Sequence, residues 1–125
     1  RHLWLLPPLA PDLYALRMDA ALDFATANGF ERAIAEHIAA HPDTRHVMLI
    51  AHPINWIDAT GVEAFGRLRE HLDDQRIELH LVGIKLPVEA VLQRAGHLTG
   101  SPRLHLYRTE AEALRAAAEL SLGPA

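Results

Sequence analysis

Cysteine is absent from this 125-residue chain, and Lys85 is the only lysine beside eleven arginines. The missing thiols exclude disulfide bonds and cysteine chemistry, but they leave the cellular compartment open. No apolar run approaches the roughly 20 residues that cross a bilayer, and no signal-peptide pattern is visible, so we expect no bilayer insertion by this segment. The net charge is −4, and the arginines are spread among acidic neighbours. This charge pattern disfavours nucleic acid as a partner.

The sequence also lacks the patterns of common catalytic and metal sites. It has no Gly-x-Ser-x-Gly turn, no Gly-x-Gly-x-x-Gly fingerprint and no Walker A motif. His37 and His41 are spaced for one helix face, but a zinc site needs a third and usually a fourth protein ligand. A phospho-receiver domain needs a doubled acidic pair after its first strand to hold Mg²⁺, and this chain does not supply it. We therefore expect no enzyme, no metal site and no cofactor.

What is present is the alternation of short apolar runs with helical patterns in a chain that is 50% hydrophobic and 22% charged. The predicted strands are Leu13–Met18, Leu22–Ala25, Val47–Ala51, Ile77–Val82 and Leu104–Tyr107. The predicted helices are Ala27–His41, Thr60–Asp73, Pro87–Gly96 and Thr109–Leu120. This order predicts an α/β fold, a small mixed and mostly parallel sheet with about four packed helices and an antiparallel pair at its start.

Three parts of the chain are distinguished by composition. Residues 1–11 contain three prolines and are predicted to form a linker or an edge strand, because proline cannot sit in a central strand. Residues 12–121 are predicted to form the domain, and residues 122–125 a tail. The chain begins at Arg1 without an initiator methionine, so we expect it to be a piece of a longer protein.

The segment Ile54–Glu63 holds the strongest candidate site. Asp58, Thr60 and Gly61 lie where a predicted strand turns into a predicted helix. Free backbone N–H groups and the positive end of the helix dipole make such a turn suitable for an anion or a phosphorylated side chain. Thr60 is then the candidate phosphorylation site, Asp58 shapes the turn and Gly61 allows close approach. The alternative is a structural capping box, with the Thr60 hydroxyl accepting from the Glu63 N–H.

Two further sets of residues are candidates for partner binding. Glu63, Arg67 and Glu70 lie on the outer face of the second predicted helix, where Glu63 and Arg67 are spaced for an ion pair. The alternative is that this face is charged only because it is exposed to water, with no partner bound to it. Trp56 and Phe24 stand just before turns and fit either an exposed contact or a cap over the core. The area that a tryptophan buries favours the core position.

Four segments in this order resemble the STAS domain, the module shared by sulphate transporters and anti-sigma-factor antagonists. They are Leu16–Ala27, Ile57–Glu63, Glu78–Val88 and Val91–Gly96. The likeness is closer to the cytoplasmic C-terminal STAS domain of SulP-family (sulphate permease) anion transporters. It implies a regulatory, protein-interaction role at the cytoplasmic face of the membrane, as part of a longer membrane protein. The implied partners are the membrane domain of the same transporter and a cytoplasmic regulatory protein.

The antagonist branch of the family implies an alternative function. Its motif is Asp-Ser-Ser-Gly, and a partner kinase phosphorylates the second serine. Thr60 stands at that position here, and Ala59 replaces the first serine. The alternative is therefore a free-standing phospho-switch that uses Thr60. Some STAS domains are thought to bind nucleotides, but no residue of this sequence identifies such a site.

Overall fold

The computed structural model describes residues 3–5, 12–18, 21–22 and 27–122. The strands are β1 (Leu3–Leu5), β2 (Leu13–Met18), β3 (Ala21–Leu22), β4 (His46–Ile50), β5 (Trp56–Ile57), β6 (Glu78–Val82) and β7 (Leu104–Tyr107). The helices are α1 (Ala27–Ala40), α2 (Ala59–Asp74), α3 (Leu86–Arg94) and α4 (Glu110–Leu122). All four predicted helices are present. The sequence did not predict β5, and Phe24 lies outside the described residues.

The main sheet has five strands in the order β1-β2-β4-β6-β7. β1 pairs antiparallel with β2 at one edge, and β2, β4, β6 and β7 run parallel. Helical crossovers join the parallel strands, which is the connection that parallel pairing requires. The predicted mixed, mostly parallel sheet with four packed helices is therefore confirmed. A separate pair of short strands, β3 and β5, also runs parallel.

The sheet buries apolar side chains on both faces because helices cover both. Leu16, Leu49 and Leu81 point to one face, where they pack with side chains of α1, α2 and α3 in the larger core. The helix residues of that core include Ile34, Phe65, Leu68, Leu72, Val88 and Leu92. The other face carries Met48 and Val82 and, among the described residues, packs against α4. The two faces are therefore unequally covered.

The described part of the chain was also searched for a helix that combines the length and the apolar character needed to cross a bilayer. None of the helices within residues 27–122 has both. α2 is the longest of them, with 16 residues, and its outer face is charged.

Candidate functional site

The turn between β5 and α2 is built around Asp58. Asp58 has an extended backbone (φ −100°, ψ −179°) and is the N-cap of α2. Its Oδ1 accepts a hydrogen bond from the Gly61 N–H at 2.9 Å, and its carbonyl oxygen accepts from the Val62 N–H at 2.9 Å. The helix begins at Ala59, so Thr60 lies inside the first turn. The predicted capping box with Thr60 as the cap is therefore wrong, because aspartate one step earlier fills that role.

The same contact changes what this turn offers to an anion. The Gly61 N–H, expected to be free, is already bonded to a carboxylate. That carboxylate also places negative charge at the helix end that would attract a phosphate. Asp58 and Thr60 are both half-buried, and Gly61 is buried. Gly61 therefore serves the cap, and the assignment of Thr60 as a phosphorylation site stays a prediction.

The cap assignment gives a stability prediction. We expect Asp58→Ala to lower the free energy of unfolding by about 1 kcal/mol, because the Gly61 N–H loses its acceptor. Thr60→Ala, the matched control at the position the sequence favoured, should change it by less than about 0.5 kcal/mol. Urea denaturation followed by circular dichroism measures both. A larger loss for Thr60→Ala than for Asp58→Ala would contradict the observed cap.

The predicted interaction surface on α2 is partly occupied by a neighbouring helix. Arg67 binds Glu31 of α1 through a two-point contact, Nε to Oε2 at 3.0 Å and Nη2 to Oε1 at 2.6 Å. The hydrogen bond with Glu31 raises the pKa of Arg67. The direct contact of Arg67 is therefore with Glu31, whose carboxylate meets two donors of the planar guanidinium, while the charge of Glu63 acts on Arg67 more weakly. Glu63 and Glu70 are exposed on the outer face of α2.

The prediction that Trp56 caps the core is also wrong. Trp56 is 51% exposed, and Leu86, at the start of α3, is 72% exposed. Trp56 borders a small groove of about 130 Å³ that Ile57, Pro87 and Val91 also line. We call these five residues (Trp56, Ile57, Leu86, Pro87 and Val91) the Trp56 patch.

The Trp56 patch is held in place by two local structures. β5 pairs with β3 and packs against α3, so a two-residue strand is fixed between them. The Lys85 ammonium group donates a hydrogen bond to the Asn55 side-chain oxygen, which joins the segments before β5 and α3. The patch is continuous in sequence with the Asp58 cap through Ile57. An apolar surface of this kind beside a helix N-terminus suits a protein partner.

His37 and His41 have a structural role in the observed packing. The Tyr14 and His37 rings stack with centroids 3.6 Å apart, and the His37 and His41 rings stack at 4.1 Å. Burial, followed by the charge of His41, lowers the pKa of His37. Over residues 3–5, 12–18, 21–22 and 27–122, no three side chains of the metal-binding types are placed to hold a metal ion. The stack connects α1 with β2.

Comparison with known proteins places this arrangement among related folds. The STAS domain family model matches residues 8–113. No match was found among curated protein sequences. The sulfate transporter family protein from Wolinella succinogenes is similar at 20% identity and a TM-score of 0.74, over 90% of each chain.

Two further solved structures resemble the chain. The murine Solute Carrier 26 family member A9 anion transporter, in its inward-facing state, is similar at 17% identity and a TM-score of 0.72. That match covers 86% of this chain and 18% of the transporter. The Bacillus cell fate determinant SpoIIAA in its phosphorylated form is similar at 17% identity and a TM-score of 0.69, over 91% of this chain and 97% of SpoIIAA. At these identities the likeness shows a shared fold.

Proposed function

The chain belongs to the STAS domain family, and from this premise we propose that it is the regulatory and protein-interaction domain of a SulP-type sulphate or other anion transporter. In this proposal the domain lies at the cytoplasmic face of the membrane. Its partners are the membrane domain of the same transporter and a cytoplasmic regulatory protein. The domain binds and catalyses no reaction of its own.

The exposed Trp56 patch is the observation that carries the proposal. Trp56 and Leu86 expose large apolar side chains to solvent, whereas most other large apolar side chains of the described residues are buried in the core. Tryptophan is among the residues that contribute most to protein–protein binding when a partner covers them. The patch also borders the Asp58 cap, so a partner seated on it would contact the first turn of α2. The fold shared with two transporter-family structures supports the transporter context.

The proposal predicts a loss of transport when the patch is truncated in the full-length protein. We expect Trp56→Ala to lower the initial rate of anion uptake at least threefold, because a buried interface tryptophan is typically worth about 2 kcal/mol or more. Leu114→Ala is the matched control, since Leu114 is also 51% exposed but lies on α4. Uptake of labelled sulphate is measured in cells, with membrane levels of each variant determined by immunoblot.

Two outcomes would contradict the proposal, the first its transporter assignment and the second the role of the Trp56 patch. The first is a gene whose reading frame upstream of Arg1 lacks a series of apolar stretches of about 20 residues each. The second is equal uptake by Trp56→Ala, Leu114→Ala and the unaltered transporter at equal membrane levels. A fall that Leu114→Ala shares equally would also contradict a role specific to the patch.

A second candidate function is a phospho-switch of the antagonist type at Thr60. It is favoured by the position of Thr60 in the first turn of α2 and by the fold shared with phosphorylated SpoIIAA. A phosphate on Thr60 would add a charge of about −1.5 to −2 at pH 7 beside the Asp58 carboxylate and the Trp56 patch. Repulsion of an acidic partner surface would follow.

Pull-down of the cognate kinase or anti-sigma factor separates the two functions. If the switch operates, Thr60→Glu loses the partner, Thr60→Ala keeps it, and mass spectrometry finds phosphate on Thr60. Unchanged binding by both variants, with no phosphate on Thr60, would rule out the switch and leave the transporter proposal standing.

A further inference from the structure

Three histidines lie side by side on the sheet face that α4 covers. They are His46 in β4, His80 in β6 and His105 in β7. His46 Nδ1 and His80 Nε2 are 3.1 Å apart, and His80 Nδ1 is 2.8 Å from the Tyr107 hydroxyl. The His80 and His105 rings stack with centroids 4.8 Å apart. His80 occupies the centre of this cluster and is only 4% exposed.

The cluster forms the floor of an open cavity of about 750 Å³. Charged side chains from several neighbouring parts of the fold line it. They are Asp12 before β2, Arg45 before β4, Arg76 after α2, Glu78 in β6 and Glu119 in α4. Water and protons therefore reach the rim of the cluster, while His80 lies beneath it.

The hydrogen bonds of His80 are complete in its neutral form. A neutral imidazole has one N–H donor and one nitrogen acceptor, which match one donor and one acceptor among His46 and Tyr107. A proton on His80 makes both of its nitrogens donors, so His46 Nδ1 and the Tyr107 oxygen must then both accept. If His46 is also protonated, two N–H groups face each other across 3.1 Å. The pair accommodates one proton and excludes the second.

The carboxylates near the cluster act on members of it other than His80. His105 Nε2 lies 2.7 Å from Glu78 Oε1, and Arg103 Nε lies 3.8 Å from Glu78 Oε2. Glu119 faces Tyr107 closely enough to help raise the pKa of that phenol. Neither carboxylate is a hydrogen-bond partner of His80, whose ring nitrogens meet His46 and Tyr107. A charge on His80 is therefore left without a paired counter-charge.

The helix over the cluster is held by small side chains. Ala113 and Ala117 are the buried residues among the described side chains of α4, and Leu114 points to solvent. Alanine buries little apolar area, so each contact stabilises the helix less than a leucine would. Ala116 and Glu119, on the same helix, border the cavity above the histidines. Opening of α4 would bring water to His80, and the small area buried by these alanines keeps its cost low.

We propose that the His46–His80–His105 cluster is a proton-binding site that controls the seating of α4: protonation of His80 releases the helix from the sheet. The site senses acid within the fold itself, and it is independent of the function assigned to the Trp56 patch.

The titration behaviour of the cluster agrees with this geometry. Burial, followed by the charges of His105 and His46, lowers the pKa of His80 from 6.5 to about 3. Burial is also the main cause that lowers the pKa of His46, although Asp12 and Glu78 act in the opposite direction. With α4 open and His80 in water, its pKa returns to an ordinary value near 6.5. The population of the open state relative to the closed state therefore rises about 30-fold when the pH falls from 7.5 to 5.

Amide hydrogen exchange on the unaltered chain tests this proposal. Protection of α4 amides is measured at pH 7.5 and pH 5 and corrected for the intrinsic exchange rate at each pH. We expect α4 to be less protected than α2 and α3 at pH 7.5 and its protection to fall about 30-fold at pH 5, while amides of α2 and α3 that exchange by local opening with His80 still buried retain theirs. In His80→Gln, which keeps a polar side chain that does not titrate in this range, the fall should be less than threefold. His80→Leu gives the same comparison without a polar side chain.

Four results would overturn the proposal. One is α4 protection that changes less than threefold between the two pH values. Another is protection of α4 equal to that of α2 and α3 at both pH values, which means that α4 leaves the sheet only by global unfolding. A third is an equal fall in both His80 variants and the unaltered chain. The last is an α4 that already lacks protection at pH 7.5, since a helix that is not seated cannot be released.

Discussion

Replacing Ile34 with alanine is expected to lower the free energy of unfolding by about 3–4 kcal/mol. Ile34 is 0% exposed and belongs to the larger core, where it is the single fully buried side chain among the described side chains of α1. Truncation removes apolar area from water and leaves a cavity between α1 and the sheet, and both effects destabilise. Urea denaturation measured by circular dichroism gives the midpoint and the slope.

Ile38 is the matched control, because it has the same side chain one turn later but is only partly buried. We expect Ile38→Ala to cost about 1–2 kcal/mol. An unchanged denaturant slope in Ile34→Ala means that α1 still unfolds with the rest of the domain, whereas a lower slope means that α1 has detached. Equal losses for Ile34→Ala and Ile38→Ala would contradict the packing described for α1.

The sequence predicts features of this fold that arise from short-range periodicity. The helical spacing of Ile34 and Ile38 predicts α1, and the alternation of Ile77, Leu79 and Leu81 predicts a strand with one apolar face. Periodicity predicts these elements because each of them buries one face, whichever element packs against that face. Resemblance adds the family, and the family model then confirms it.

The features that the sequence does not predict depend on tertiary structure. Arg67 binds Glu31, which lies 36 residues away in the sequence, so no helix-spacing rule predicts the pair. The sequence shows only that both are charged residues in predicted helices. β5 has two residues and no period, and its pairing with β3 is what holds Trp56 at the surface. The sequence predicts the cap at Thr60 instead of Asp58 because Thr60 and Glu63 also match a capping pattern. The preference of aspartate for the cap position was the signal available in the sequence.

The histidine cluster was missed for a related reason. His46 and His80 are 34 residues apart, and scattered histidines carry no spacing signal. Strand register brings them together, since β4 and β6 lie side by side and His80 pairs with His105 across β6 and β7. Alternation placed His80 opposite the apolar face of β6. It did not show that α4 would bury that position.

The stability of the domain is expected to fall as the pH drops from about 6.5 towards 3, and His80 is expected to be the largest contributor. Its pKa in the folded chain is lowered to about 3 by burial, while an unfolded histidine titrates near 6.5. Between these values the unfolded chain binds a proton that the folded chain excludes, so acid favours unfolding. This loss of stability is absent well above pH 6.5, where His80 is neutral in both states. At pH 5, His80 lowers the free energy of unfolding by roughly 2 kcal/mol.

Comparison with His80→Leu isolates this contribution from those of His37 and His46, whose pKa values are also lowered. At pH 7.5 we expect the variant to be less stable than the unaltered chain by about 1–3 kcal/mol, because His46 and Tyr107 lose a buried hydrogen-bond partner. At pH 5 the difference should shrink by roughly 2 kcal/mol, since leucine binds no proton in either state. Tyr107→Phe is the control: it removes one hydrogen bond of His80 but leaves the imidazole to titrate, so it should keep the pH dependence of the unaltered chain. Parallel stability curves for His80→Leu and the unaltered chain from pH 7.5 to 5 would show that His80 takes up its proton without leaving the folded state, because a group that titrates alike in both states cannot make folding depend on pH.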